Sequence, residues 1–233
     1  MHLNLYLSRS GVASRRSSAE IVKAGRVQVN GRTVREPGRT VEPDDLVLVD
    51  GLPVKPEPHV YLALNKPSGY TSTVKDRFAP KKVLELVPSS FGRLYPVGRL
   101  DRDSCGLLLL TNDGDFAQRI IHPGAGVEKE YEVTVSPTFR QPDAALLRQG
   151  LNDQGELLSV RSVARLQDTP HNSLLKVILT EGRKRAIRRL FRRLGYRVEK
   201  LKRVRIGRIL LGGLAEGRYR MLKEDELQEY LNP

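Results

Sequence analysis

The sequence predicts an α+β protein with a small N-terminal unit and a larger C-terminal one. Segments with the helix period and segments with the strand period follow one another along its 233 residues. A strong hairpin signal, Asn30-Gly31, stands near the start of the chain. A proline-rich stretch at 53–59 then resists both helix and central strand, as a spacer does. We therefore expect units at 1–52 and 60–233, joined by a linker at 53–59.

The N-terminal unit is expected to contain two helices, a hairpin and a further strand. An apolar cluster begins at Leu3, and Ser14 is a good N-cap for a second helix at Arg15–Ala24. Polar and apolar residues alternate on both sides of Asn30-Gly31, which predicts a hairpin over 26–34 with a type I′ turn. The run Leu46–Val49 predicts another strand.

Composition and charge limit the class of protein. With 39% apolar and 29% charged residues, the chain is expected to be soluble and globular and not disordered. A net charge of +13 suits a polyanionic partner such as nucleic acid, although a cationic protein without one has the same balance. A single cysteine, Cys105, fits a reducing compartment. Neither a signal peptide nor an apolar run of about 20 residues is present, so a cytoplasmic protein with no membrane partner is expected.

The central stretch, Pro96–Asp115, combines two turns with a short buried strand. A glycine lets the backbone bend before Asp101, and the apolar run Leu107–Leu110 indicates the strand. Asp101 is therefore expected on a loop at the mouth of a rigid strand, where catalytic groups are often placed. The residues leave two interpretations open: a catalytic carboxylate, or a structural one that holds the adjacent Arg99 or Arg102.

Four aspartates flank this strand, two before it and two after it. Carboxylates of this kind suit Mg²⁺ or Ca²⁺, but the strand between the two pairs spans about 13 Å. Asp113 and Asp115 are better explained as turn and cap residues before a helix at Phe116–Ile121. Asp101 and Asp103 alone are too few ligands, so no metal site is predicted.

The segment 186–194 predicts a helix with one apolar face. The stripe consists of Ile187, Leu190, Phe191 and Leu194. At about 100° per residue, Arg188 lies beside this stripe and Arg189 lies nearly opposite to it. Arg188 is therefore expected to keep its stem on the core and to turn its guanidinium toward a partly buried acid. Arg189 is expected to face solvent or RNA.

Positive charge is concentrated around this helix. Residues 181–208 hold thirteen Lys or Arg and two acids. A charge run is usually a solvated face, but this one is dense. We therefore interpret it as a track for RNA phosphates.

Several of these segments resemble the pseudouridine synthases. The motifs NKPSG at 65–69, GRLD at 98–101, EKEY at 128–131 and EGRKRAIRR at 181–189 occur in the order of that family, and GRLDRDSCGLLLLTNDGD is the most specific string. The string SRSGVASRRSSAEIVKAGRVQVNGRTV resembles the S4 RNA-binding domain. Together with Cys-Gly-Leu at 105–107, this combination is most similar to the branch that acts on 23S ribosomal RNA. The resemblance implies a catalytic domain built on a mixed, mainly antiparallel sheet with flanking helices.

The resemblance also implies site residues. Asp101 would be the essential carboxylate, and the basic residue at Arg188 would pair with it. Tyr131 would lie against the target base; from the residues alone a core tyrosine on a strand is the commoner case, and the motif match reverses that preference. Lys66 would have a supporting role only. Ala186 departs from the family, which usually has glutamine there, and this puts a side-chain hydrogen bond from that position in doubt. The residues assigned to RNA contact are Arg9, Ser14, Arg15, Arg16, Lys23, Arg99, Arg102, Arg185, Arg189 and Arg192.

The implied reaction is the isomerisation of a uridine to pseudouridine in ribosomal RNA, without a cofactor or a metal, by a monomer. The sequence does not distinguish attack of Asp101 on the ribose from attack on the base or proton abstraction. Two other functions remain open at this point. One is a non-catalytic S4-type ribosome-binding or assembly factor, and the other is a metal-dependent RNA phosphodiesterase that uses the aspartates.

Overall fold

The structure, a computed structural model, describes residues 1–73 and 80–231 and divides into two compact units. The first unit consists of residues 1–59 with 89–93, and the second consists of 60–88 with 94–233. In the described part of the chain no helix is long and apolar enough to cross a membrane.

The N-terminal unit packs two short helices with a four-stranded sheet of order β2-β1-β3-β4. The elements are α1 Leu3–Arg9, α2 Arg15–Lys23, β1 Val27–Val29, β2 Arg32–Val34, β3 Val47–Val49 and β4 Leu52–Pro53. The predicted hairpin is confirmed, since Asn30 and Gly31 both have the positive φ that a type I′ turn requires. The predicted cap is confirmed too: the Ser14 hydroxyl accepts a hydrogen bond from the Ser17 amide.

The C-terminal unit is built on one large sheet with helices packed against it. Its strands are β5 Tyr61–Lys66, β6 Tyr95–Val97, β7 Cys105–Thr111, β8 Lys129–Ser136, β9 Leu151–Asp153, β10 Glu156–Leu158, β11 Ser162–Asp168, β12 Ser173–Leu179, β13 Arg197–Ile206, β14 Ile209–Leu210 and β15 Tyr219–Met221. Its helices are α3 Gly114–Ile121, α4 Asp143–Gln149, α5 Ala186–Arg193 and α6 Glu224–Leu231. The predicted α+β class is confirmed.

The sheet has the order β11-β12-β8-β13-β7-β5-β15, while β9 and β10 form a separate hairpin. Among the described strands, β13 and β7 run parallel, and every other pair is antiparallel. The predicted mixed, mainly antiparallel sheet is therefore confirmed. Strand β7, which the apolar run predicted, is buried along its whole length because neighbouring strands and helices cover it.

Two apolar cores support the sheet. One lies under α4 and α5 and includes the predicted stripe of the arginine-rich helix, with Leu190 and Phe191 fully buried. The other lies between β7 and the helices α3 and α6, around Phe116. Helix α3 begins at Gly114, two residues earlier than predicted; the cap role of Asp113 is confirmed, since its carboxylate accepts from the amides of Asp115 and Phe116. Both cores stabilise the strands that lead to the cleft of the C-terminal unit.

Candidate active site

A cleft of about 580 Å³ opens on one face of the large sheet. Its lining comes from the loop after β6, the start of β8, the segment before α5 and the end of β13. Asp101, Tyr131 and Arg185 all line it, together with Arg99 and Arg102. The cleft therefore brings the Asp101 carboxylate, an aromatic ring and several guanidinium groups together within the C-terminal unit.

Lys66 anchors the loop that carries Asp101. This side chain is fully buried at the end of β5, and its ammonium group donates to the carbonyl oxygens of Ser104 at 2.6 Å, Pro67 at 3.0 Å and Arg102 at 3.4 Å. Burial lowers the pKa of Lys66 to about 8, although the nearby carboxylates of Asp101 and Asp103 act in the opposite direction. The loop therefore depends on a buried cation for its shape, in keeping with the supporting role expected for this residue.

Ser72 holds the same loop from the other side. Its hydroxyl donates to the carbonyl of Leu100 at 3.1 Å and accepts from the Leu100 amide at 3.3 Å. Ser72 is buried, so this double contact fixes the residue directly before Asp101. No motif in the sequence indicated this role, because a serine in a turn has many uses.

Among the residues that the structure describes, Arg185 is the arginine that forms an ion pair with Asp101. Its Nη1 lies 3.6 Å from Oδ2 of Asp101, and its two terminal nitrogens lie 3.3 Å from the two carboxylate oxygens of Asp103. Arg185 directly precedes α5 in a left-handed backbone conformation, with φ at +53°. One guanidinium group thus bridges both aspartates of the loop. The Asp101 side chain keeps 31% of its surface exposed and remains accessible from the cleft.

Arg188 does not make the contact that the family motif implied. Its Nη2 lies 3.2 Å from Oδ2 of Asp103 and donates to the Asp103 carbonyl, while Nη1 donates to the Val198 carbonyl at 2.9 Å. The burial of its stem is confirmed, since only 13% of the side chain is exposed. The expected pair with Asp101 is wrong because Arg188, in the first turn of α5, faces Asp103 of the loop.

Asp103 therefore receives two guanidinium groups. Desolvation raises the pKa of its carboxyl, but the hydrogen bond from Arg185 and the charges of Arg188 and Arg185 outweigh this, and the pKa lies below its ordinary value. Asp103 stays ionised and connects the loop to α5. It positions Arg185, which in turn reaches Asp101.

Arg189 is also placed differently from the expectation. Only 16% of its side chain is exposed; Nε lies 2.5 Å from Oδ2 of Asp153, and Nη1 lies 2.5 Å from Oε2 of Glu156. The expectation that it faces solvent or RNA is wrong because the β9–β10 hairpin covers that side of α5. Arg192 lies on the exposed part of the same helix, with 66% of its side chain exposed.

Tyr131 lies on β8, opposite Arg203 of β13 and Val177 of β12. Its ring is half-buried and borders the cleft. Two cations on the same wall were missed by the sequence reasoning. Lys129 lies two residues before Tyr131 and therefore on the same face of β8, so strand alternation could have predicted its position from the sequence. Arg203 carried no such signal, because its position depends on the pairing of β13 with β8 and β7.

The basic residues assigned to RNA in the N-terminal unit are mostly accessible. Arg15, Arg16 and Lys23 are exposed, although Lys23 forms an ion pair with Glu20 at 3.0 Å. Arg9 is half-buried. The hydroxyl of Ser14 is engaged as the cap of α2. This surface thus offers the exposed guanidinium groups of Arg15 and Arg16 on one helix.

The fold and the cleft together define an enzyme domain joined to an RNA-binding domain. Residues 1–47 match the family model of the S4 domain, and residues 60–193 match the model described as RNA pseudouridylate synthase. The chain therefore belongs to the RNA pseudouridylate synthase family and carries an N-terminal S4 domain.

Individual relatives agree with this assignment over nearly the full length. An uncharacterized RNA pseudouridine synthase of Aquifex aeolicus is 38% identical over 98% of this chain and 93% of its own. The ribosomal large subunit pseudouridine synthase B of Bacillus subtilis is 36% identical over 97% of this chain and 93% of its own. A crystal structure of a pseudouridylate synthase superposes with a TM-score of 0.69 at 26% identity, covering 99% of this chain and all of that one.

Proposed function

We propose that this protein converts a specific uridine of large-subunit ribosomal RNA to pseudouridine, with Asp101 as the essential carboxylate. The observation that carries the proposal is the meeting of Asp101, Tyr131 and Arg185 in one cleft of a family member. The similarity to a relative named for the ribosomal large subunit supports the choice of RNA. We also propose that residues 1–52 act as the RNA-binding domain and residues 60–233 as the catalytic domain, with 53–59 as the linker.

The reaction breaks the bond between N1 of uracil and C1′ of the ribose, turns the base and joins C5 to C1′. It is an isomerisation, so neither an oxidant nor a group donor enters the balance. A carboxylate in contact with the nucleotide serves as a nucleophile or as a base. Asp101 is fitted to either role, because Lys66 and Ser72 fix its loop and Arg185 balances its charge. Leu100, buried beside it, keeps apolar surface at the reacting centre.

Tyr131 would support the extruded base. An aromatic ring stacks on any nucleobase, and such stacking is worth about 1–3 kcal/mol. A base must leave its helix before an enzyme acts on it, and a half-buried ring at the cleft wall suits a flipped uracil. The exposed side chains of Arg99, Arg102 and Arg192 are available for the flanking phosphates.

We place the protein in the cytoplasm, where ribosomal RNA is its partner, and we expect it to act as a monomer. The single cysteine, Cys105, is buried and free, as suits a reducing compartment. Size-exclusion chromatography with light scattering would test the monomer, and a stable dimer would contradict it.

The deciding experiment compares Asp101→Asn with the wild type on ribosomal RNA from cells that lack this protein. Pseudouridines are mapped before and after incubation. The wild type is expected to add pseudouridine to the large-subunit RNA, and Asp101→Asn is expected to add none while binding that RNA with nearly the same affinity. Product formation that survives chelation and leaves the RNA uncut would exclude a metal-dependent phosphodiesterase. Normal turnover by Asp101→Asn would refute the role of the carboxylate, and no turnover by the wild type would favour a non-catalytic ribosome-binding factor.

A further inference from the structure

The inner wall of the cleft carries two cations that the chemistry above does not use. Lys129 and Tyr131 stand two residues apart on β8, so their side chains point to the same face of the sheet. Arg203 lies directly opposite Tyr131 on β13. Directly opposite residues in an antiparallel pair have Cβ atoms about 5 Å apart, and residues i and i+2 lie about 7 Å apart along a strand. The two cations therefore flank the ring on which the base would lie.

Arg203 is buried with part of its hydrogen-bonding capacity unused. Only 5% of its surface is exposed, and Nε donates to the Leu107 carbonyl at 2.7 Å. Its Nη2 is shielded from solvent and has no hydrogen-bond partner within residues 1–73 and 80–231. A buried charged donor left unpaired costs free energy. A guanidinium group kept in this condition at the wall of a cleft suits an acceptor that arrives with the substrate.

Lys129 is the second member of the pair. Its ammonium group donates to the Ile120 carbonyl at 3.3 Å, which occupies one of its three donors. Burial, and then the charge of Arg203, lowers the pKa of Lys129 to about 8. Within residues 1–73 and 80–231, the other charged groups that line the same cleft are Arg99, Asp101, Arg102, Glu181, Arg183, Lys184 and Arg185. Lys129 is thus a cation poised near neutral pH beside the ring of Tyr131.

We propose that Lys129 and Arg203 form an oxyanion site for the uracil base, which stabilises the negative charge that the base acquires when its glycosidic bond breaks. This inference rests on the proposed function. When the N1–C1′ bond breaks, both electrons stay on uracil and are delocalised from N1 onto O2 and O4. The C5–C1′ bond then forms, and the proton lost from C5 is balanced by the one gained at N1. Donors aimed at such oxygens in a dry cleft favour the transition state over the ground state.

The test uses single-turnover rates on large-subunit ribosomal RNA and a separate measurement of RNA affinity. Lys129→Gln is expected to lower the rate about 100-fold, the usual effect of removing one oxyanion donor. Its RNA affinity and the salt dependence of binding are expected to stay within twofold of wild type. Lys129→Arg is expected to recover most of the rate. Lys176→Gln is the matched control, since Lys176 is half-buried on the opposite face of neighbouring β12.

The pH dependence of the rate distinguishes a role of the Lys129 charge from a structural role of its side chain. The wild-type rate is expected to fall as the pH rises past about 8, where Lys129 loses its proton. The rate of Lys129→Arg is expected to stay level there, since arginine keeps its charge. Arg203→Gln is expected to behave like Lys129→Gln where its thermal unfolding matches the wild type.

Three outcomes would overturn the inference. One is a Lys129→Gln rate equal to that of the wild type. Another is a loss of RNA affinity with a shallower salt slope, which would assign Lys129 to a phosphate. The third is a failure of Lys129→Arg to restore any rate. Wild-type turnover is measured first, because its absence would overturn the proposed function itself and the inference with it.

Discussion

Gly106 provides a sharp test of how the sheet positions the cleft. It lies in β7 with φ at +99°, and a Cβ added there would stand 2.2 Å from the carbonyl oxygen and 2.7 Å from the amide nitrogen of Arg203. Both atoms belong to the backbone of β13, so no side-chain rotation relieves the contact. Gly106→Ala must therefore push β7 and β13 apart by about 1 Å to reach an ordinary contact distance.

The expected cost follows from two contributions. A side chain at positive φ costs roughly 1–2 kcal/mol. Weakened ladder hydrogen bonds between β7 and β13 add about 1 kcal/mol each, and looser packing of the core adds to this. We expect Gly106→Ala to lower the free energy of unfolding by roughly 3–5 kcal/mol. We also expect it to reduce turnover, because β13 carries Arg203 and the Asp101 loop leads into β7.

Gly69→Ala is the matched control. Gly69 has a similar φ of +91°, but the described residues leave the 4 Å around its added Cβ open. The free energy of unfolding of Gly69→Ala should fall only by the backbone contribution of about 1–2 kcal/mol. Urea denaturation followed by far-UV circular dichroism measures both variants. A loss for Gly106→Ala within about 1 kcal/mol of that for Gly69→Ala would refute the reasoning.

Three further predictions concern charged side chains. Arg185→Ala removes the guanidinium group that lies 3.6 Å from Asp101 and should lower the single-turnover rate by about 10- to 100-fold; an unchanged rate would show that this contact is dispensable. Arg189→Ala removes the guanidinium group that donates to the buried carboxylate of Asp153, leaves it only the longer contact with Arg192 at 3.6 Å, and should lower the free energy of unfolding; normal stability with weakened RNA binding would instead favour a role at the RNA. The pKa of Lys66 is about 8 in the folded protein, below its ordinary value of 10.5. Between pH 8 and 10.5 the unfolded chain therefore binds more protons than the folded one, and folding becomes more favourable as the pH rises. The unfolding free energy of the wild type relative to Lys66→Met should therefore rise by about 3 kcal/mol from pH 8 to 10.5 in urea titrations, and a flat or falling difference would contradict the buried ammonium.

Local chemistry made several elements predictable. Asn30-Gly31 specifies its turn because those two residues tolerate positive φ. Ser14 and Asp113 mark helix starts because their oxygens satisfy backbone amides a few residues away. The stripe around Leu190 identified α5, since a helix must bury its apolar face.

The partners of the charged side chains at the cleft could not be predicted from local sequence. The helical period placed Arg188 beside the apolar stripe, and its stem is buried there. The helical period did not show that Arg188 pairs with Asp103 and that Arg185 pairs with Asp101. These pairs depend on the path of the loop, which is set by anchors such as Lys66. Arg188 and Arg185 differ by less than one helical turn in the sequence, yet only one of them lines the cleft.

The sequence by itself determined the family, the α+β class, the caps and turns, and the candidate carboxylate at Asp101, since each depends on residues that are close along the chain. Only the tertiary structure decided that a hairpin covers Arg189, and that Lys129 and Arg203 meet Tyr131 on one wall. Those arrangements arise from strand register and loop path, which set distances between residues far apart in the sequence. A side chain's direction is a local property, whereas its partner is a property of the whole fold.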